Sequence, residues 1–201
     1  MRVAITGGSH GIGKATAIAF GKNGDEVCIT YRSDKKSALE VAEKIGAKVV
    51  RLDVTDNSSI EEFKTVLAEW KAEVIVNNAG VVRWKVFSEH SFADIEDILR
   101  TNTEGAIKIA KVGVDLEIPR VINIVSGSAK NPSEKLPVYC ASKAAMRMFT
   151  MAVGKPMICV NPGMTKTRMT DYEGDEPEDV AAVILEVAHG RKGQFGGEVD
   201  M

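Results

Sequence analysis

Apolar, β-branched runs bounded by turn residues recur along the chain at Val3–Thr6, Val27–Thr30, Val49–Leu52, Val74–Val76, Val121–Val125 and Ile158–Val160. The stretches between them are helix-compatible, and helices are expected near 11–23, 35–45, 57–70, 91–112, 138–153 and 178–189. A strand that stays apolar at successive positions must be covered on both faces, as in a parallel sheet with helices above and below. The alternation predicts an α/β fold with a doubly wound parallel sheet flanked by helices on both faces and joined by right-handed crossovers. Asp175-Glu176-Pro177-Glu178-Asp179 reads as the start of the last helix rather than a metal site, because Pro suits a first turn and carboxylates favour its positive end. The segments 163–177 and 79–90 have the character of longer loops.

A chain of 201 residues fits one domain, and at that size it buries most of what its unfolded form exposes without a disulfide or metal. With 44% hydrophobic and 27% charged residues it has ordinary soluble usage, and a net charge of −2 supplies no field for DNA, RNA or an anionic membrane. The expected partner is therefore a small molecule or a protein, with no nucleic acid and no membrane. Cys28, Cys140 and Cys159 form no CxxC pair and read as small core residues of a reducing, cytoplasmic environment. Met1-Arg2-Val3 enters a strand at once, and no apolar run approaches the ~20 residues that span a bilayer. His10, His90 and His189 sit in no metal-ligand pattern.

The string Thr6-Gly7-Gly8-Ser9-His10-Gly11-Ile12-Gly13 falls where the first strand ends and the first helix begins, which is where a doubly wound sheet holds a dinucleotide. Gly7 permits the tight turn, Gly11 lets backbone approach a pyrophosphate, and Gly13 allows the helix to pack closely on the strand. The alternative, an ordinary strand-to-helix loop, is disfavoured by the strand before it and the amphipathic Lys14–Phe20 segment after it. The fold is accordingly expected to be a single Rossmann-type domain over residues 1–201.

The spacing Thr-Gly-x3-Gly-x-Gly resembles that of the short-chain dehydrogenase/reductase family, and nearly the whole chain supplies that family's other motifs in order. Asp53-Val54 matches the position that meets the adenine ring. Asn77-Asn78-Ala79-Gly80 matches the motif beside the cofactor, and Asn102 the structural and proton-relay Asn. Ser126, then Tyr139 and Lys143 as Tyr-x3-Lys, match the catalytic set. Pro162-Gly163 with Thr165 and Thr167 resembles the segment that holds the nicotinamide carboxamide. The resemblance implies an NAD(P)-dependent oxidoreductase that moves a hydride between cofactor and a carbonyl or alcohol. It also implies that Lys143 hydrogen-bonds the nicotinamide ribose and that Asn102 fixes a water against Lys143.

The residues suit that chemistry. Hydride transfer needs a proton exchanged with the substrate oxygen as charge develops there, and Tyr139 carries one. Its phenol titrates near pKa ~10 unless its anion is stabilised, and Lys143, four residues on along a helix, projects to the same face. Bringing the phenol toward neutrality means about three pH units, or ~4 kcal/mol, which is more than one exposed pair supplies, so cofactor charge and a dry site must contribute. Ser126 donates to a developing alkoxide, while Ser128 reads as a loop hydroxyl.

For cofactor choice the second strand ends Tyr31-Arg32-Ser33, where Arg32, Ser33 and His10 suit a 2′-phosphate. NADP(H) is favoured, with NAD(H) the alternative should Asp34 turn toward the ribose instead. Only 23 positions separate Tyr139 from Pro162, so the catalytic helix is short for the family and a homodimer or monomer is expected. Met164–Glu176 is a small lid, and Trp84, Leu136 and Met164 are candidates either to line the pocket or to pack the core. The competing function is a cofactor-binding regulator or scaffold that has lost catalysis, which the intact Ser126, Tyr139 and Lys143 argue against. A sugar-nucleotide epimerase or dehydratase with the same Tyr and Lys would need a larger substrate domain than 201 residues provide. Reducers of ketones, aldehydes, sugars, steroids, pteridines and acyl thioesters share these motifs, so they point to no particular carbonyl.

Overall fold

Successive strand residues face opposite sides of a sheet, and in this chain both sides are apolar. The computed structural model describes residues 1–201. Its strands are β1 (Arg2–Ile5), β2 (Glu26–Tyr31), β3 (Lys48–Arg51), β4 (Val74–Asn77), β5 (Arg120–Ile124), β6 (Met157–Asn161) and β7 (Glu198–Asp200). They form one seven-stranded sheet, every pairing parallel, in the order β3-β2-β1-β4-β5-β6-β7. The helices are α1 (Gly11–Lys22), α2 (Lys35–Ile45), α3 (Asn57–Trp70), α4 (Phe92–Leu99), α5 (Ala106–Asp115), α6 (Pro137–Val153) and α7 (Pro177–Ala188). This is the doubly wound Rossmann arrangement that the strand pattern predicts.

One face of the sheet presents Val3, Ile5, Val27, Ile29, Ile122 and Ile124 to Phe20 of α1, Val41 of α2 and Ile184 of α7. The other presents Ala4, Cys28, Ile75 and Val121 to Phe63 and Leu67 of α3 and Ile109 of α5. Phe20 and Phe63 are wholly enclosed, and burying a side chain of that size contributes about 1.5–3 kcal/mol. All three cysteines are buried and unpaired.

The helix boundaries follow local chemistry. Asp34 and Asp56 cap α2 and α3 by accepting from Ser37 N and Ser58 N, and Ser91 with Asp94 forms a capping box on α4. Pro177 opens α7, with Glu178 and Asp179 in its first turn, as the acidic run suggests.

Two expectations are corrected. The sheet has seventh strand β7, which has no apolar run to announce it because Val199 alone of its three residues is buried. Besides its ladder to β6 and the packing of Val199, polar contacts hold β7: Arg147 on α6 donates to Glu198 at 2.7 and 2.8 Å, and Lys130 and Asn161 donate to Asp200 at 2.8 Å. The expected continuous helix 91–112 is broken by a π turn at Arg100–Gly105, which separates α4 from α5. There the Asn102 side chain grips the backbone of Val81, donating to its carbonyl and accepting from its N–H, both at 2.8 Å. Such insertions in a helix recur at functional sites.

Candidate active site

The strand order reverses between β1 and β4, and ligands of open α/β sheets bind at that point, beyond the strands' carboxyl ends. Thr6, the last residue of its run, ties the two strand ends together: its Oγ1 accepts from the N–H groups of Asn78 and Ala79, each at 2.9 Å. Gly8 N donates to Thr30 O at 2.9 Å, fixing the glycine turn against β2. A Cβ on Gly13 would stand 2.3 Å from the Gly7 carbonyl oxygen, so only glycine lets α1 sit this close to the turn. Gly11 has φ +50° and abuts Thr167, whose Cγ2 would be 3.0 Å from an added Cβ. No side chain caps α1 and no acid lies in its first turn, leaving the positive end of the helix facing the cleft. A turn shaped this way fits the pyrophosphate of a dinucleotide.

The cleft has a volume of about 720 Å³. Of the positions singled out in the sequence, Gly7, Ser9, His10, Gly11, Ile12, Tyr31, Arg32, Ser33, Val54, Asn78, Ala79, Gly80, Ser126, Tyr139, Lys143, Pro162, Gly163, Thr165 and Thr167 line it. Gly13, Asp53 and Asn102 stand behind it. Asp53 Oδ1 accepts from Thr55 N and Thr55 Oγ1 at 2.9 and 2.7 Å, while its neighbours Leu52 and Val54 form the wall. Asn77 of the Asn-Asn-Ala-Gly string is also turned inward, donating to Asn123 Oδ1 at 3.0 Å and bracing β4 on β5.

At one end of the cleft, Arg32 and Ser33 are exposed and Asp34 lies 3.1 Å from His10 Nε2. The Asp34 carboxylate is committed to Ser37, whose N and Oγ donate to it at 3.0 and 2.8 Å. Burial, then the positive charge of Arg168, hold His10 below its ordinary range.

At the other end are Ser126, Tyr139 and Lys143. Ser126 Oγ accepts from Ser128 N at 3.1 Å, which leaves its own proton to donate. Burial pushes the Tyr139 phenol up to about 12, with the Ser126 hydroxyl pulling the other way. Burial likewise brings Lys143 down to about 8. Its Nζ donates to the Ile124 carbonyl at 2.9 Å and lies 5.7 Å from the centre of the Tyr139 ring. The expected lowering of the phenol by Lys143 is absent in the protein itself, where burial raises Tyr139 and lowers Lys143. Asn102 does not touch Lys143; besides Val81 it donates to Ser142 Oγ at 3.2 Å. Gly80 lies between them, with a position for Cβ 3.2 Å from Asn102 Oδ1 and 3.8 Å from Lys143 Nζ.

Trp84, Leu136 and Met164 do line the cleft beyond the tyrosine, and Val82, Met169 and Thr170 join them. Trp84 Nε1 donates to the carbonyl of Met169, clasping the loop between β6 and α7. The sequence gives no periodic signal for Met169 or Arg168, which reach the cleft only through the fold of that loop. No helix is long and apolar enough to cross a membrane.

A parallel doubly wound sheet with a phosphate-shaped glycine turn at its switch point, and Ser, Tyr and Lys in the same cleft, defines the class of Rossmann-type oxidoreductases. The model of the short chain dehydrogenase family matches residues 1–178, and the chain belongs to that family. It is 32% identical over 187 residues to an NADPH-dependent pterin aldehyde reductase of Arabidopsis thaliana, covering 83% of this chain and 76% of that one. It is 30% identical over 213 residues to the probable oxidoreductase EphD of Mycobacterium tuberculosis, covering 96% of this chain and 35% of that longer protein. Among solved structures, a short chain dehydrogenase from Burkholderia cenocepacia in complex with NADP superposes with a TM-score of 0.91 at 25% identity, covering 100% of this chain and 95% of that one.

Proposed function

We propose that the protein transfers a hydride between NADP(H) and a carbonyl or alcohol substrate, with Tyr139 exchanging the proton on the substrate oxygen. The observation that carries this reading is that Ser126, Tyr139 and Lys143 line the same cleft as the glycine turn, at its opposite end from Arg32. The nicotinamide ring supplies or takes the hydride when bound. The protein's part is to orient the carbonyl, exclude water and handle the proton. Ser126 Oγ, which accepts from Ser128 N, donates its hydroxyl proton to the substrate oxygen. The phenol of Tyr139, kept neutral by burial, is in the form that donates during carbonyl reduction. Lys143 Nζ holds a proton that burial has loosened, so it can return one to the phenolate. The test is turnover of a carbonyl and alcohol panel followed through NADPH absorbance; a panel that includes small aldehydes and ketones and shows no turnover contradicts the reading.

Arg32, Ser33 and His10 are proposed to hold a 2′-phosphate, which makes NADP(H) the cofactor ahead of NAD(H). The Arabidopsis relative's dependence on NADPH and the NADP held by the Burkholderia relative support the same choice here. Asp34, which lines the same end of the cleft, opposes it by charge, and its carboxylate is shared between Ser37 and His10. Arg32→Ala is expected to raise the NADPH dissociation constant about tenfold, the worth of one charge-assisted hydrogen bond, while NADH binding stays level. NADPH affinity unchanged by that substitution removes Arg32 from the site. The proposed assembly is no larger than a homodimer, which light scattering checks: a tetramer at micromolar concentration contradicts it.

A further inference from the structure

One cation at the phosphate end of the cleft comes from the opposite bank. The loop between β6 and α7 is folded on itself: Asp175 N donates to Met164 O at 2.9 Å, and Lys166 N to Asp175 O at 2.8 Å. Its tip is a 3-10 turn, Arg168–Thr170, capped by Thr167, whose Oγ1 accepts from Met169 N at 3.1 Å. Because Thr167 rests against Gly11, that tip sits directly over the glycine turn. Lys166, the other cation nearby, is paired with Glu176. Arg168 is exposed, lines the cleft, and has no hydrogen bond or ion pair with any protein group.

We propose that Arg168 is a cofactor-specificity residue: carried by the loop, it closes on the 2′-phosphate of NADP(H) opposite Arg32 and completes the site that selects it over NAD(H). The inference rests on the dinucleotide reading above. A phosphate entering here meets the Asp34 carboxylate, so one arginine on an exposed strand end leaves its charge poorly balanced. A second guanidinium from the far side offsets Asp34 and offers planar, paired donors that suit a phosphate. The charge of Arg168 is already felt at His10, where after burial it is the largest influence and opposes the pull of Asp34. With His10 held toward its neutral form, the permanent charges must come from the arginines. The next residue, Met169, is the one whose carbonyl Trp84 holds, so phosphate capture steadies the wall of the substrate end as well.

The experiment titrates the wild-type protein, Arg168→Ala and Arg168→Lys with NADPH, NADH, 2′,5′-ADP and 5′-AMP by calorimetry. Arg168→Ala is expected to weaken NADPH and 2′,5′-ADP about tenfold to a hundredfold, with NADH and 5′-AMP unchanged and partial recovery in Arg168→Lys. Its unliganded melting temperature should equal the wild type's, since the side chain holds nothing in the protein. An unchanged ratio of NADPH to NADH affinity in Arg168→Ala overturns the inference while leaving the dinucleotide site standing. Failure of the wild-type protein to bind any of the four ligands overturns both.

Discussion

Tyr139→Phe is expected to lower kcat for carbonyl reduction by about 10²–10⁴, the contribution of a positioned general acid, while NADPH affinity stays close to the wild type. The substitution removes one oxygen and keeps the ring, so the packing of α6 against the sheet is preserved. What is lost is the phenol hydroxyl at the reactive end, which is neutral and half-buried, with Ser126 beside it. Ser126 alone can polarise a carbonyl through its hydroxyl, but an aliphatic hydroxyl is a far weaker acid than a phenol. Stopped-flow absorbance of NADPH on saturating substrate measures the effect, and turnover that persists undiminished would move the acid elsewhere.

Lys143→Met is expected to abolish turnover and yet make the protein more stable at neutral pH. The wild-type ammonium is buried with one carbonyl partner and no carboxylate, and burial brings it from 10.5 to about 8. A folded value below the unfolded one means the unfolded chain holds the proton more tightly, so at pH 7, below both values, the charge carries its full penalty. The difference of the two values, at 1.36 kcal/mol per unit, corresponds to about 3 kcal/mol, and losing the charge-assisted bond to Ile124 O returns about 1.5–2 kcal/mol. A net gain of about 1–2 kcal/mol amounts to a rise of roughly 2–8 °C in a domain of this size. Between pH 8 and 10.5 the wild-type protein gains stability as pH rises, because its folded form has shed the proton and its unfolded form has not. The advantage of Lys143→Met therefore shrinks across that window. Urea unfolding at pH 7 and pH 10 tests both parts, and a variant less stable than wild type at pH 7 contradicts the claim.

The sheet is legible in the sequence because its strands are apolar on both faces, as Val3-Ala4-Ile5 and Val74-Ile75-Val76 are, and such short β-branched runs between turn residues fit a parallel sheet covered on both sides. β7 is not legible, since Arg147, Lys130 and Asn161 attach it from far along the chain. The π turn is hidden for a similar reason: Asn102 meets Val81 only after the strands have paired. Motif spacing places Ser126, Tyr139 and Lys143 at one end of a cleft, but the direction of the lysine is set by the Ile124 carbonyl, which no motif records. Arg168 has no pattern at all, and only the fold of its loop brings it over Gly11.

The flap that carries Arg168 is already knitted internally, from Thr170 Oγ1 bound to Thr165 O at 2.6 Å to Tyr172 N bound to Thr167 O at 2.9 Å. A segment so constrained is held over the glycine turn as one preordered piece. Engaging a ligand then forfeits few torsional freedoms, so attraction at the tip passes into affinity instead of being spent on ordering a slack chain.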